Sequence, residues 1–172
     1  MIFTIISMAM VIIYLIAAYF IAGKDIPTSI SSTYYVIKNK ILFSIVIATS
    51  SLLLLIPFTE VTPDKYLMFP VLGTVGMLMV GIFPDTTEKR KDRLHMIGGI
   101  GGCVCYNLWT SLIGTWYLSL SWASIILFSI WLCKTNKVDE RNKVLYHIKD
   151  HIIFWIEVIT LFGVYGTLLS VA

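Results

Sequence analysis

Three histidines, a few carboxylates and one run of hydroxyls hold most of the chemistry this chain could perform. His147 and His151 are four residues apart, a spacing that sets both imidazoles on one face of a helix. The only other histidine is His95. Three protein ligands and one open position are the usual arrangement of a catalytic zinc. A zinc-bound water loses its proton near pH of about 7 and becomes a nucleophile. On that reading His95, His147 and His151 hold Zn, while Asp85 or Asp150 serves as base or as orienter of a ligand. The simpler competing reading is a hydrated polar interface with no metal. The hydroxyl run is PTSISSTYY at 27–35, where seven of nine side chains carry an OH and none is charged.

The elements that must position these groups follow from composition. Of 172 residues, 58% are hydrophobic and only 13% charged, against about 25% charged in a soluble domain. The mean hydropathy is +0.85, which excludes an ordinary soluble enzyme and leaves one compact membrane domain. Apolar runs of about 18 residues or more cross a hydrocarbon core roughly 30 Å thick. Six such runs occur, at 2–22, 41–58, 67–83, 96–113, 116–133 and 148–171. The third is the shortest, and Pro70 and Pro84 bracket it. The first has no basic stretch before it and no Ala-x-Ala-type end, so it reads as a retained span and not a cleaved leader. The expected fold is therefore all-α, a six-span transmembrane bundle. Gly98 and Gly102 are spaced for close helix packing. Cys103 and Cys105 are too close for the usual paired zinc or redox spacings and, with Cys133, read as small apolar residues.

Charge sets an orientation. With connections assigned to alternate sides, twelve Lys and Arg fall on one side and Lys65 alone on the other. The basic side is cytosolic by the positive-inside rule, so both termini are expected outside the cytosol. The external loops are 59–66 and 114–115, with Trp116 and Tyr117 as an interfacial anchor. The hydroxyl run then shares the cytosolic end with Asp85, His95, His147, Asp150 and His151. The basic cluster at 88–93 reads as a solvated loop that could also meet anionic headgroups. Without a soluble domain or an aromatic platform, nucleic acid is excluded as a partner. Membrane lipids are the expected partners, and a second copy of the chain is left open.

Glu157 is the one carboxylate deep within a span, and lipid cannot solvate it. On a helical wheel Glu140, Lys143, His147, Asp150, His151 and Glu157 share an arc of about 120°. Helix 6 is thus expected to enter the membrane as an amphipathic segment with one polar stripe turned inward. Glu157 is expected to hydrogen-bond Asn107 or Tyr106, or to serve a proton or ion pathway. Residues 29–40 are expected to form an interfacial helix capped by Thr28 or Ser29, with Ile30, Tyr34, Ile37 and Ile41 as its apolar stripe. Ser32, Thr33, Tyr34 and Tyr35 would then line the mouth of a cavity enclosed by His95 and helix 6. Asn107 and Glu157 complete the expected cavity lining.

Two family resemblances attach to these motifs. GIFP at 81–84 followed by HMIGG at 95–99 resembles a pattern of the DRAM/Frag-type superfamily of polytopic membrane proteins, with Gly99 in place of the usual alanine. SISSTYY at 29–35 and NLW at 107–109 further resemble six-span membrane proteins of gut bacteria and their phages. That resemblance implies a six-span bundle in a bacterial inner (plasma) membrane, with His95 as a signature residue and no set chemistry. The His147–His151 pair also resembles the last span of alkaline ceramidase and adiponectin-receptor-type hydrolases. This chain lacks their Ser-x-x-x-His and one span, and its Asp85 precedes His95. Three functions are therefore expected in order: binding of a lipid or small amphiphile at the cytosolic end, as sensor, modulator or carrier; metal-dependent lipid hydrolysis; and an ion or proton pathway through Glu157.

Overall fold

The computed structural model describes residues 1–23, 29–37, 40–83, 89–116, 118–119, 122–123, 126 and 151–172, and among these there is no strand. The helices are α1 (Ile2–Ile21), α2 (Thr33–Val36), α3 (Lys40–Val61), α4 (Met68–Ile82), α5 (Lys89–Leu112) and α6 (Ile152–Val171), with a 3₁₀ turn at Asp64–Tyr66. Ile2–Ile21, Ile41–Val61 and Ile153–Val171 are long and apolar enough to cross a membrane, and Met68–Ile82 is apolar but shorter. About 20 helical residues reach roughly 30 Å, the hydrocarbon thickness. The chain is an integral membrane protein of transmembrane helices.

Its polarity is turned outside in. The buried face of α1 is Thr4, Ser7, Val11, Tyr14 and Ala18, an i, i+3, i+7 pattern, while Ile5, Ile6, Ile12, Ile13 and Ile16 are exposed. On α5 the buried positions include Tyr106, Trp109 and Thr110, and the exposed ones include Met96, Ile97, Ile100, Val104, Leu108 and Leu112. A water-soluble helix sorts its residues the other way. Here the solvent for the outer face is lipid, and the interior takes the hydroxyls.

Contacts fix the helix directions. Ser7 bonds the Ser50 carbonyl at 2.9 Å and Tyr14 meets Phe43 at 6.2 Å between rings, so α1 and α3 run antiparallel. Phe58 packs on Tyr106 at 5.6 Å and Trp109 Nε1 donates to Thr62 Oγ1 at 2.8 Å, so α3 and α5 run parallel. Asn107 donates to Thr160 at 3.3 Å, and Thr115, just past α5, pairs with Thr167 at 3.0 Å. Hence α5 and α6 are parallel too. Between them Ser119 touches Ser111 and Trp122 Nε1 donates to Thr160 Oγ1 at 2.8 Å, as a returning segment would. Gly114, at φ +96°, ends α5 in the left-handed region that glycine tolerates.

The tightest seam joins α4 to α5. A Cβ on Gly76 would lie 2.6 Å from the Gly98 carbonyl oxygen and 2.7 Å from Gly102 Cα. One on Gly98 would lie 2.7 Å from the Gly76 oxygen and from Met79 Cβ. The two backbones touch, as the Gly98–Gly102 spacing anticipated.

One sequence expectation changes here. The helix expected over 29–40 is only the four residues of α2. Ser29 and Ser32 bond their own backbones in a turn, and Ile37 is extended at ψ 125°; local hydroxyl bonds compete with a helix in this way. The last helix begins at Ile152, with His151 in the capping position, and the expected stripe over 140–150 lies outside the described residues. The fifth run is described at 116, 118, 119, 122, 123 and 126, all helical.

Gly98→Ala should lower the stability of the detergent-purified protein by about 1–3 kcal/mol, the usual cost of overpacking. Gly101→Ala should change it by less than about 0.5 kcal/mol, because a Cβ there meets nothing within 4 Å. Thermal melting of both variants against the parent protein checks the pair.

Candidate functional site

The site starts where α1 stops. Gly23, at φ +74°, closes α1, and the chain next described, from Ser29, has folded back over the helix ends. Ser29 and Ser32 satisfy one another: the Ser32 N–H donates to Ser29 Oγ at 2.9 Å, and Ser32 Oγ–H donates to the Ser29 carbonyl at 2.7 Å. The Ser29 N–H donates to Ser32 Oγ at 3.1 Å. A turn that supplies its own partners can leave water without orphaned backbone groups. Ile30 and Ile37, each 5% exposed, anchor it in a core with Tyr14, Phe43, Ile47 and Val80.

Two long-range bonds hold this plug. Thr33 Oγ1, 1% exposed, lies 2.7 Å from the Tyr14 hydroxyl of α1 and donates to the Ile30 carbonyl. The Ile30 N–H donates to Glu157 Oε2 across 127 residues of sequence. The carboxylate of α6 thus reaches the α1–α3 connection and not Asn107 or Tyr106, the partners expected from the sequence. Asn107 instead donates to the Cys103 carbonyl at 3.0 Å and to Thr160. The Tyr106 hydroxyl lies 3.2 Å from Thr74 Oγ1.

Beneath the plug lies a cavity of about 40 Å³, more than the roughly 10–15 Å³ that one water needs. Its polar lining includes Glu157, Ser31, Ser50, Ser51 and Thr160. Phe43, Ile47, Leu54, Met77 and Val80 supply apolar wall. Ser50 and Ser51 both donate to the Ile47 carbonyl, at 3.0 and 2.7 Å, and Thr160 accepts from Trp122 and Asn107. Glu157 is different. A carboxylate offers about four lone-pair sites, and among the described residues it has one hydrogen bond, from Ile30, and no cation.

The hydroxyl segment therefore does meet the cavity, but through other residues than expected. Ile30 and Ser31 line it; Ser32 and Thr33 hold the turn, and Tyr34 packs edge-on to Phe43 at 6.1 Å between rings. Tyr35 is exposed and edge-on to Tyr34. Asn107 lies outside the lining, as does His95, whose place on the wall is taken by Gly99 one helical turn later. His95 is 8% exposed, and its Nδ1 is 2.8 Å from the Phe83 carbonyl. Since a carbonyl only accepts, Nδ1 carries the proton there and ties the end of α4 to α5. Only Nε2 remains for a ligand such as zinc. His147, Asp85 and Asp150 lie outside the described residues. Among the described residues no three His, Cys, Asp or Glu side chains gather as a metal site. Sequence reasoning missed Ser31, Ser50, Ser51 and Thr160. Ser31 stood within the hydroxyl run, and the signal of Ser50, Ser51 and Thr160 was a small polar side chain amid a long apolar run.

The fold and the cavity define a class: a helical integral membrane protein with an internal chamber, the Glu157 carboxylate in its wall and the 29–37 segment packed above it. No family model matches the chain, and no curated protein or solved structure matches it either.

If the Ile30–Glu157 bond latches the plug, removing the acceptor should expose Ser31. In a protein with Cys103, Cys105 and Cys133 replaced by Ala, a Ser31→Cys thiol should react slowly with a maleimide. Adding Glu157→Ala should speed that reaction about tenfold or more, as the loss of a charged hydrogen bond implies. Glu157→Gln, which keeps an acceptor, should leave the rate close to the parent's. Timed labelling read by mass shift decides it.

Proposed function

We propose that this protein binds a lipid or small amphiphile in the chamber beneath the plug, at the cytosolic end of the bundle, as a sensor, modulator or carrier. The observation that carries the reading is Glu157. A carboxylate removed from water is costly unless paired, yet this one faces a cavity and, among the described residues, receives a single backbone N–H. The cavity joins this polar spot to apolar wall, which is the profile of a small-molecule site with few placed polar groups. An amphiphile offers a matching head and body.

The proposed setting is six spans in a bacterial inner membrane, with the basic loops cytosolic and both termini outside. Two features support it. Parallel α5 and α6 need one further crossing between them, and the run at 116–133 has the length for it. The twelve-to-one distribution of Lys and Arg favours the cytosol for the end that carries the plug. Surrounding lipids are then the partners at hand.

Filling the cavity tests the reading. Gly99 lines it, and a Cβ there would meet only Val80 Cγ2 at 3.7 Å, so Gly99→Leu should fold while occupying the space. Intact-complex mass spectrometry of protein purified from membranes should show a bound amphiphile on the parent chain and at least about tenfold less on Gly99→Leu. A parent chain that carries none, and takes up neither dodecylamine nor 1-dodecanol, would sink the proposal.

Orientation has its own measurement. In the cysteine-free background, Lys65→Cys should react with an impermeant maleimide added to intact cells, and Arg93→Cys should react only after lysis.

A further inference from the structure

A second concavity lies on the lipid side of the bundle. It is a groove of about 260 Å³ between α1 and α6, lined by Met8, Ile12 and Leu15 of one helix and by Val158, Phe162 and Leu169 of the other. Val11, Leu161 and Tyr165 line both this groove and the inner cavity. One layer of side chains thus separates an apolar trough open to lipid from the chamber that contains Glu157. Leu161 is one helical turn beyond Glu157, on the same face of α6. Along α6 the groove runs from Val158 to Leu169, eleven helical rises or about 16 Å, the reach of an alkyl chain of roughly a dozen carbons. Ser7, bonded to Tyr165 at 2.8 Å, pins the two helices beside the wall.

We propose that the ligand is a single-chain primary amine, its alkyl chain in the α1–α6 groove and its ammonium head passed between Val11, Leu161 and Tyr165 onto Glu157. The inference rests on the amphiphile reading and adds the class of head group and the way in. Charge selects the head. Among the described residues Glu157 is the only carboxylate on the cavity wall; it would repel an anion, whereas an ammonium forms the stronger, charge-assisted bond. Hydrogen-bond capacity narrows the choice. A primary ammonium has three donors, and Glu157, Ser31, Ser50 and Ser51 offer acceptor oxygens on the same wall. A trimethylated nitrogen has no N–H and could make none of these bonds.

The test is titration calorimetry on the full chain in nanodiscs, against empty nanodiscs, with dodecylamine, dodecyltrimethylammonium and 1-dodecanol. Dodecylamine should bind about tenfold or more tightly than either of the others. Glu157→Gln should bind dodecylamine and dodecanol about equally. Gly166→Phe places bulk in the groove, where a Cβ meets nothing within 4 Å, and should weaken dodecylamine at least about tenfold without lowering the melting temperature. If no probe binds the parent chain, the amphiphile reading itself falls. If amine and alcohol bind alike, or the trimethylammonium probe matches the amine, the amphiphile reading stands and the primary amine is overturned. A preference that survives Glu157→Gln removes Glu157 as the head site. Unchanged affinity in a folded Gly166→Phe removes the groove.

Discussion

A backbone N–H withdrawn from water has to find an acceptor, and for Ile30 that acceptor is the Glu157 carboxylate. Much of this end of the bundle follows from that one bond. It draws a connection that could have lain in the headgroups down between the helices. It turns Ile30 and Ile37 into core residues, and it leaves Ser31 as the roof of a cavity. The hydroxyls around it have a related task. Ser29, Ser32 and Thr33 close the turn on itself and on Tyr14, so a segment without regular structure survives burial.

The rest of the bundle is held by a different balance. Lipid tails are as apolar as leucine, so there is little hydrophobic drive between helices in the membrane. What remains is close approach and polar contact. Gly76, Gly98 and Gly102 bring two backbones together. Ser7, Thr115 and Thr167 then link distant helices by hydroxyl bonds. The aromatic group of Phe58, Tyr106 and Trp109 fills the other end, with Trp109 Nε1 bonded to Thr62.

The class of the protein was legible because hydrocarbon imposes a long apolar run that composition cannot hide. The glycine seam was legible for the same reason, since its spacing is a helical period. The plug was not. PTSISSTYY has the apolar spacing of an interfacial helix, but hydroxyls that bond their own backbone broke that helix to four residues. The partner of Glu157 was hidden more deeply. A side chain's need for a hydrogen bond can be read from the sequence, but which backbone donor meets it depends on a contact 127 residues away. Ser50 and Ser51 escaped notice because helical hydroxyls bonded to the preceding turn are common, and only the packing shows that these two face a cavity.

The choice of residue at 157 is itself informative. A plug needs only an acceptor for one N–H, and a glutamine carbonyl would supply it with no charge to remove from water. A half-buried carboxylate is the costlier solution, and among the described residues one backbone N–H is all that offsets its charge. Its excess capacity points into the chamber, one helical turn from the Leu161 wall that separates chamber from lipid. A purely structural latch has no use for that capacity. A bound cation has, because it adds the pairing that the described residues do not supply, and it competes with the Ile30 N–H for the same two oxygens. Occupancy of the chamber and closure of the plug are then coupled through a single side chain, whichever of the two is set first.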